Sequence, residues 1–125
     1  MCGKLISVDD ADVRADEQGW IAVCDLNRLK AESIVRVRVA KLDLLLIWND
    51  GDVVACERAC PHEQADLALG QVVAGRLLCP RHAASFDLRD GQISAGWPSP
   101  PLRLYPVKVR GKKIWIEAQE RQPGR

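Results

Sequence analysis

Cys60-Pro61-His62 and, further on, Cys79-Pro80-Arg81-His82-Ala83-Ala84-Ser85-Phe86-Asp87 are the stretches on which the reading of this sequence turns. Sixteen residues, 63 to 78, separate His62 from Cys79. Each stretch joins one thiol to one imidazole, and together they hold both histidines of the chain and two of its five cysteines. Thiolate and imidazole are metal ligands. An odd number of cysteines, clustered with histidine, points to metal rather than to a disulfide scaffold. Residues 60–65 and 79–84 read as loops at the ends of strand-like runs, where the backbone is free to turn inward.

Outward from these loops the chain consists of short apolar runs broken by turn residues. A first strand is expected over 20–24, and a turn over 25–30 with Asp25 as a cap. Over 33–39 the pattern has period two, with Val35, Val37 and Val39 on one face and Arg36 and Arg38 on the other, as in a half-buried strand. Residues 42–48 are almost wholly apolar and predict a central strand. Asn49-Asp50-Gly51 predicts a hairpin turn, from which 53–56 returns. Residues 71–73 and 77–79 flank the turn Ala74-Gly75-Arg76, and 85–87 leads into the turn Arg89-Asp90-Gly91. Three prolines within 96–101 exclude regular structure there. A last hairpin is expected from 104–110 and 113–117 about Gly111, with Pro106 making the first strand an edge strand or delaying its start. Many short strands with almost no helical periodicity predict an all-β fold, a small antiparallel sandwich or barrel. The expected organisation is an acidic N-terminal extension over 1–17, one domain over 18–118 and a tail over 119–125.

Size and charge narrow the function. The 125 residues suit one domain, and 47% hydrophobic with 28% charged residues is a globular composition. A net charge of +1 gives no electrostatic case for nucleic acid or an anionic membrane. No apolar run approaches the roughly 20 residues of a membrane span. Asp9, Asp10, Asp12, Asp16 and Glu17 make the N-terminus too acidic for a transit peptide, and it lacks the apolar stretch of a signal peptide. A cytoplasmic protein is expected.

The arrangement C-x-H, sixteen residues, C-x-x-H resembles the signature of the Rieske iron–sulfur family. The resemblance runs over 20–118 and includes 79–87, Asp90-Gly91, Gly96-Trp97-Pro98-Ser99-Pro100 and Leu104-Tyr105-Pro106-Val107. It implies the Rieske fold, with a cluster-binding subdomain of two loops and one [2Fe–2S] cluster per chain. By this resemblance Cys60 and Cys79 hold the inner iron and His62 and His82 the outer one. Neutral imidazoles in place of two thiolates make the cluster less negative. Its potential then lies between about −150 and +300 mV, against about −400 mV for plant-type ferredoxins. The alternative from a different class is a zinc-stabilised binding module, since zinc takes the same ligands. Zinc pairs are usually spaced more widely than C-x-H. Either way Cys2, Cys24 and Cys56 are left as thiols, with Cys24 and Cys56 expected in the core.

High-potential members of the family carry a disulfide whose cysteines would fall at Ala65 and Arg81, and hydroxyls that would fall at Ala84 and Phe86. None is present, which implies a potential low in the Rieske range. The sequence is similar instead to the ferredoxin component of bacterial ring-hydroxylating dioxygenases, although Ala83 stands where glycine is usual. This resemblance implies a monomeric one-electron carrier rather than an enzyme. Its implied partners are a flavin-dependent ferredoxin reductase and a terminal oxygenase of aromatic hydrocarbon catabolism. A mononuclear iron site needs two histidines and a carboxylate, and the cluster uses both histidines of the chain. The Rieske-like small subunit of an assimilatory nitrite reductase is a second electron-transfer reading.

Other residues carry two readings each. Trp97 either shapes docking or fills a proline loop. Arg103, Lys108, Arg110, Lys112 and Lys113 either steer an acidic partner or form the solvated face of an edge hairpin. Arg81, between second-loop ligands, is the better candidate for a partner contact. Leu67 and Leu69 either pack beneath the first loop or form an apolar rim. Trp20, Trp48 and Trp115 are expected in the core or on a sheet face.

Overall fold

The computed structural model describes residues 6–8, 20–39, 42–61, 65–80, 84–94 and 99–117. In chain order its elements are β1 Ile6–Val8, β2 Trp20–Asp25, α1 Leu26–Glu32, β3 Ile34–Val39, β4 Leu42–Asn49, β5 Asp52–Glu57, β6 Gln71–Val73, β7 Arg76–Leu78, β8 Ser85–Asp87, β9 Leu104–Tyr105, β10 Val107–Arg110 and β11 Lys113–Glu117. A 3₁₀ turn at Leu67–Leu69 precedes β6. Three sheets form among the described residues, in the orders β1-β3-β4-β5-β9, β10-β11-β2 and β6-β7-β8. The all-β expectation holds, and every pairing is antiparallel except β1 with β3.

Strand β4 explains the architecture. Leu44 and Leu46 join Val35, Val37, Val39, Ile114 and Ile116 in one apolar core, between the first and second sheets. Leu45 and Ile47 point the other way and join Cys60, Leu67, Leu77, Cys79 and Phe86 in a second core. Successive side chains of a strand face opposite sides, so a strand with a core on each side must be apolar without alternation. Strand β3 alternates as read: Val35, Val37 and Val39 are buried, and Arg38 is exposed. Asn49 pairs with Asp52, leaving Asp50 and Gly51, both at positive φ, as the two-residue hairpin turn.

Three features depart from the sequence reading. Residues 26–32 form a helix of two turns rather than a simple turn. Burial of Leu29 and the Arg28–Glu32 ion pair at 2.7 Å stabilise it. Asp25 stands at its N-cap without a side-chain capping bond. Within the expected acidic extension, Ile6–Val8 forms a strand on the edge of the first sheet, and Ile6 packs on the first core. Pro106 divides the penultimate run: β9 pairs with β5 in the first sheet, whereas β10 pairs with β11 in the second. Proline lacks the N–H a continuous ladder needs, so the chain changes sheet there and β10 starts as an edge strand.

Candidate metal centre

The first loop springs from the end of β5. Ala59 and Asp66 form an isolated antiparallel bridge, and the Cys60 N–H donates to the Ala65 carbonyl at 2.8 Å. Below this closure the Arg58 guanidinium grips Asp66 with two bonds, Nε to Oδ1 at 2.9 Å and Nη2 to Oδ2 at 2.8 Å. Asp66 Oδ1 also accepts the Ala68 N–H at 3.0 Å and so caps the 3₁₀ turn. The hydrogen bond from Arg58 holds the Asp66 carboxyl below its ordinary range, and Asp66 raises Arg58 in return.

The second loop joins β7 to β8. It closes in the same way, with the Cys79 N–H donating to the Ala84 carbonyl at 3.0 Å. At its foot Arg76 Nε donates to Ser85 Oγ at 2.7 Å and Nη2 to the Ser85 carbonyl at 3.1 Å. Ser85 and Ser94 add a backbone-to-hydroxyl and a backbone-to-backbone bond. Ser85 is the buried polar residue of the described chain, and these partners satisfy it.

Each loop therefore begins on a cysteine N–H, closes five residues later on a buried alanine, and rests on an arginine. Cys60 and Cys79 both lie buried in the second apolar core. Cys24, Cys56, Cys60 and Cys79 are in no disulfide. His62, Arg81, His82, Ala83 and Trp97 lie outside the described residues. Among the described residues no three metal-ligating side chains converge.

Residues 19–106 match the family described as Rieske [2Fe-2S] domain. The chain belongs to the Rieske family. It is 35% identical over 81 residues to the 3-phenylpropionate/cinnamic acid dioxygenase ferredoxin subunit of Photorhabdus laumondii, covering 64% of this chain and 77% of that one. Human Apoptosis-inducing factor 3 is 28% identical over 99 residues, 79% of this chain but 16% of that much longer protein. The solved ferredoxin of carbazole 1,9a-dioxygenase from Nocardioides aromaticivorans superimposes with a TM-score of 0.72 at 27% identity, over 80% of this chain and 98% of that one. The Rieske fold carries a [2Fe–2S] cluster and serves electron transfer, and the relatives named as ferredoxins are carriers rather than oxygenases. Two buried thiols on loops closed alike suit such a cluster, which takes thiolate ligands in a shell whose polarity tunes its potential.

Several double readings resolve in this Rieske framework. Leu67 is fully buried beneath the first loop, whereas Leu69 is 65% exposed. Cys24 and Cys56 are core residues, one in each core. Trp20, Trp48 and Trp115 are half-buried sheet-face residues. The basic run is partly accounted for by stacking: Lys108 Nζ lies 4.6 Å from the Trp20 ring centroid, and the Arg110 guanidinium 4.9 Å from that of Trp115. Sequence reasoning missed Arg58, Asp66 and Arg76. For Arg58 and Asp66 the only signal was opposite charges flanking the first loop, which becomes legible once the loop is known to close; Arg76 left none.

Proposed function

We propose that Cys60, His62, Cys79 and His82 hold the cluster, and that the protein passes single electrons from a flavin-dependent ferredoxin reductase to a terminal oxygenase of aromatic-compound degradation. The observation that carries this reading is the matched closure of the two loops, with Cys60 and Cys79 buried in one core inside the family segment. The similarity to ferredoxin subunits named for dioxygenases supports the choice of partners.

When bound, the cluster accepts and releases one electron. The chain's own residues do the rest. Cys60 and Cys79 would supply thiolates from an apolar core, and His62 and His82 follow them by two and three residues in the sequence. Backbone closure at Ala65 and Ala84 fixes both loops, so little rearrangement accompanies a change of charge. Ala84 and Phe86 are fully buried and offer no hydroxyl, which favours a potential low in the Rieske range. The protein works as a cytoplasmic monomer. Among the described residues no helix is long and apolar enough to cross a membrane, which is compatible with that placement.

Iron and sulfide analysis with EPR of the reduced protein tests the assignment. The parent protein is expected to hold two iron and two sulfide per chain. Cys60→Ser and His82→Ala should lose iron and the reduced-state signal. Retention of both in either variant would overturn the ligand assignment. Partners are tested by reduction kinetics with purified reductases and oxygenases, and no turnover with any aromatic-ring oxygenase system would count against them.

A further inference from the structure

Two ionised side chains stand at the foot of the first loop. Arg58 precedes Cys60 by two residues, and Asp66 follows Ala65, where the loop closes. Their two bonds, 2.9 and 2.8 Å, form a bidentate contact, which fixes orientation as well as distance. The backbone reinforces it, since the Leu67 N–H donates to the Arg58 carbonyl at 2.9 Å. The second loop rests on a different device. Arg76 donates there to the hydroxyl and carbonyl of Ser85, and its guanidinium stands 3.9 Å from Asp87. Asp87, at the far end of β8, is paired more closely with the exposed Arg89, at 3.1 Å, so at the second loop the charged pair stands away from the loop closure, whereas at the first loop Arg58 and Asp66 directly flank it.

We infer that Arg58 and Asp66 are a positioning pair that sets the cluster's midpoint potential, locking the loop of Cys60 and His62 while each cancels the other's field at the cluster. This rests on the ligand assignment above. Reduction adds one negative charge, on which nearby fixed charges act. Two residues of chain span at most about 7 Å, so the Arg58 backbone lies within that distance of Cys60. The side chains are 25% and 33% exposed, so solvent and salt screen them only in part. Paired, they present a small dipole. With one removed, the other loses its bidentate partner, and only the more distant Asp43 (facing Arg58) and Arg36 (facing Asp66) offset it: Asp66→Asn leaves the guanidinium and favours the reduced state, and Arg58→Gln leaves the carboxylate and disfavours it.

The test uses the cluster-loaded protein. Iron content and EPR are measured first, then midpoint potentials of the parent, Asp66→Asn, Arg58→Gln and the double variant at low and high salt. The expected result is a rise for Asp66→Asn and a fall for Arg58→Gln. Each corresponds to a roughly two- to tenfold change in the reduction equilibrium, about 18 to 59 mV for one electron. The double variant should return to the parental potential, and both single shifts should shrink in high salt. Asp66→Ser, which like Asp66→Asn keeps an acceptor for the Ala68 N–H but removes the charge with a smaller side chain, guards against a misfolding artefact in Asp66→Asn and should show the same rise. Shifts of one sign in both single variants, or none in iron-loaded protein, would overturn the inference and leave the pair a structural clamp. Failure of the ligand assignment is visible separately, as iron retained by Cys60→Ser.

Discussion

The Leu102 N–H donates to the Gly91 carbonyl at 2.7 Å, and a Cβ placed on Gly91 would run into the Leu102 backbone. Gly91 also stands at φ 79° and donates its own N–H to the Asp87 carbonyl. Leu102 is buried in the second core, so this contact anchors the far end of the proline-rich segment beside the second loop. Gly91→Ala is expected to cost at least about 2 kcal/mol, from positive φ and overpacking together. Thermal denaturation should show a fall of about 5–10 °C. An unchanged midpoint would mean that the segment relaxes away from Gly91.

Cys56 is a core cysteine, set apart from the proposed ligands Cys60 and Cys79. It is fully buried opposite Leu45, and burial drives its thiol well above the ordinary range; burial raises Cys24 as well. A thiolate is the reactive form, so neither residue should be alkylated in folded protein at pH 8. Peptide mass spectrometry should find both modified only after denaturation. Cys56→Ala should keep all its iron and lose about 1–2 kcal/mol of stability to the smaller side chain.

Adding hydroxyls near the second loop should raise the potential. Ala84 and Phe86 are both fully buried in the segment 79–87. At these two positions high-potential members of the family carry hydroxyls, so Ala84→Ser and Phe86→Tyr would each add a donor able to bond a cluster or ligand sulfur, and such bonds favour the more negative reduced state. A bond worth on the order of 1 kcal/mol more after reduction moves a one-electron potential by about 40 mV. Redox titration of iron-loaded variants checks the direction, and a fall in either would contradict it.

The Arg58–Asp66 pair also predicts an acid dependence of stability. Asp66 has an ordinary pKa of 3.8, and the hydrogen bond from Arg58 lowers it in the fold. A depressed carboxyl stabilises the fold above its unfolded pKa, and that contribution fades as pH falls through the folded value. Parent and Asp66→Asn should therefore differ in urea midpoint at pH 6 and converge at pH values below 3.8. The difference should be modest, because both side chains are partly solvated. A gap that persists unchanged into strong acid would show that Asp66 acts only through packing.

Lys108 and Arg110 supply a prediction about the basic hairpin. Stacked on Trp20 and Trp115, each should contribute about 0.5–1 kcal/mol to stability. Alanine in either place should lower the denaturation midpoint and leave the potential unchanged. A large loss of electron-transfer rate at low salt, with stability intact, would favour partner steering instead.

Much of the fold was legible because its causes are local. The alternation of Val35, Val37 and Val39 marked β3, and Asp50-Gly51 marked the hairpin between β4 and β5. The unbroken apolar run at 42–48 marked a strand covered on both faces. The helix after Asp25 was not legible, because a single buried leucine and one ion pair over seven residues leave too little periodicity to read. Strand β1 was hidden for a related reason, since three residues among acidic neighbours gain strand structure only by lying against β3.

The sequence by itself determined the family, and the proposed ligand set rests on it as well. Ligand type and spacing are written in consecutive residues, and no other histidine competes. Only tertiary structure decided how the loops are held: Arg58 against Asp66, Arg76 against Ser85, Gly91 against Leu102. It also decided which leucine of the first loop is buried and which is exposed. Those outcomes depend on groups brought together when the chain folds back over eight or more residues, where geometry rather than order along the chain sets who meets whom.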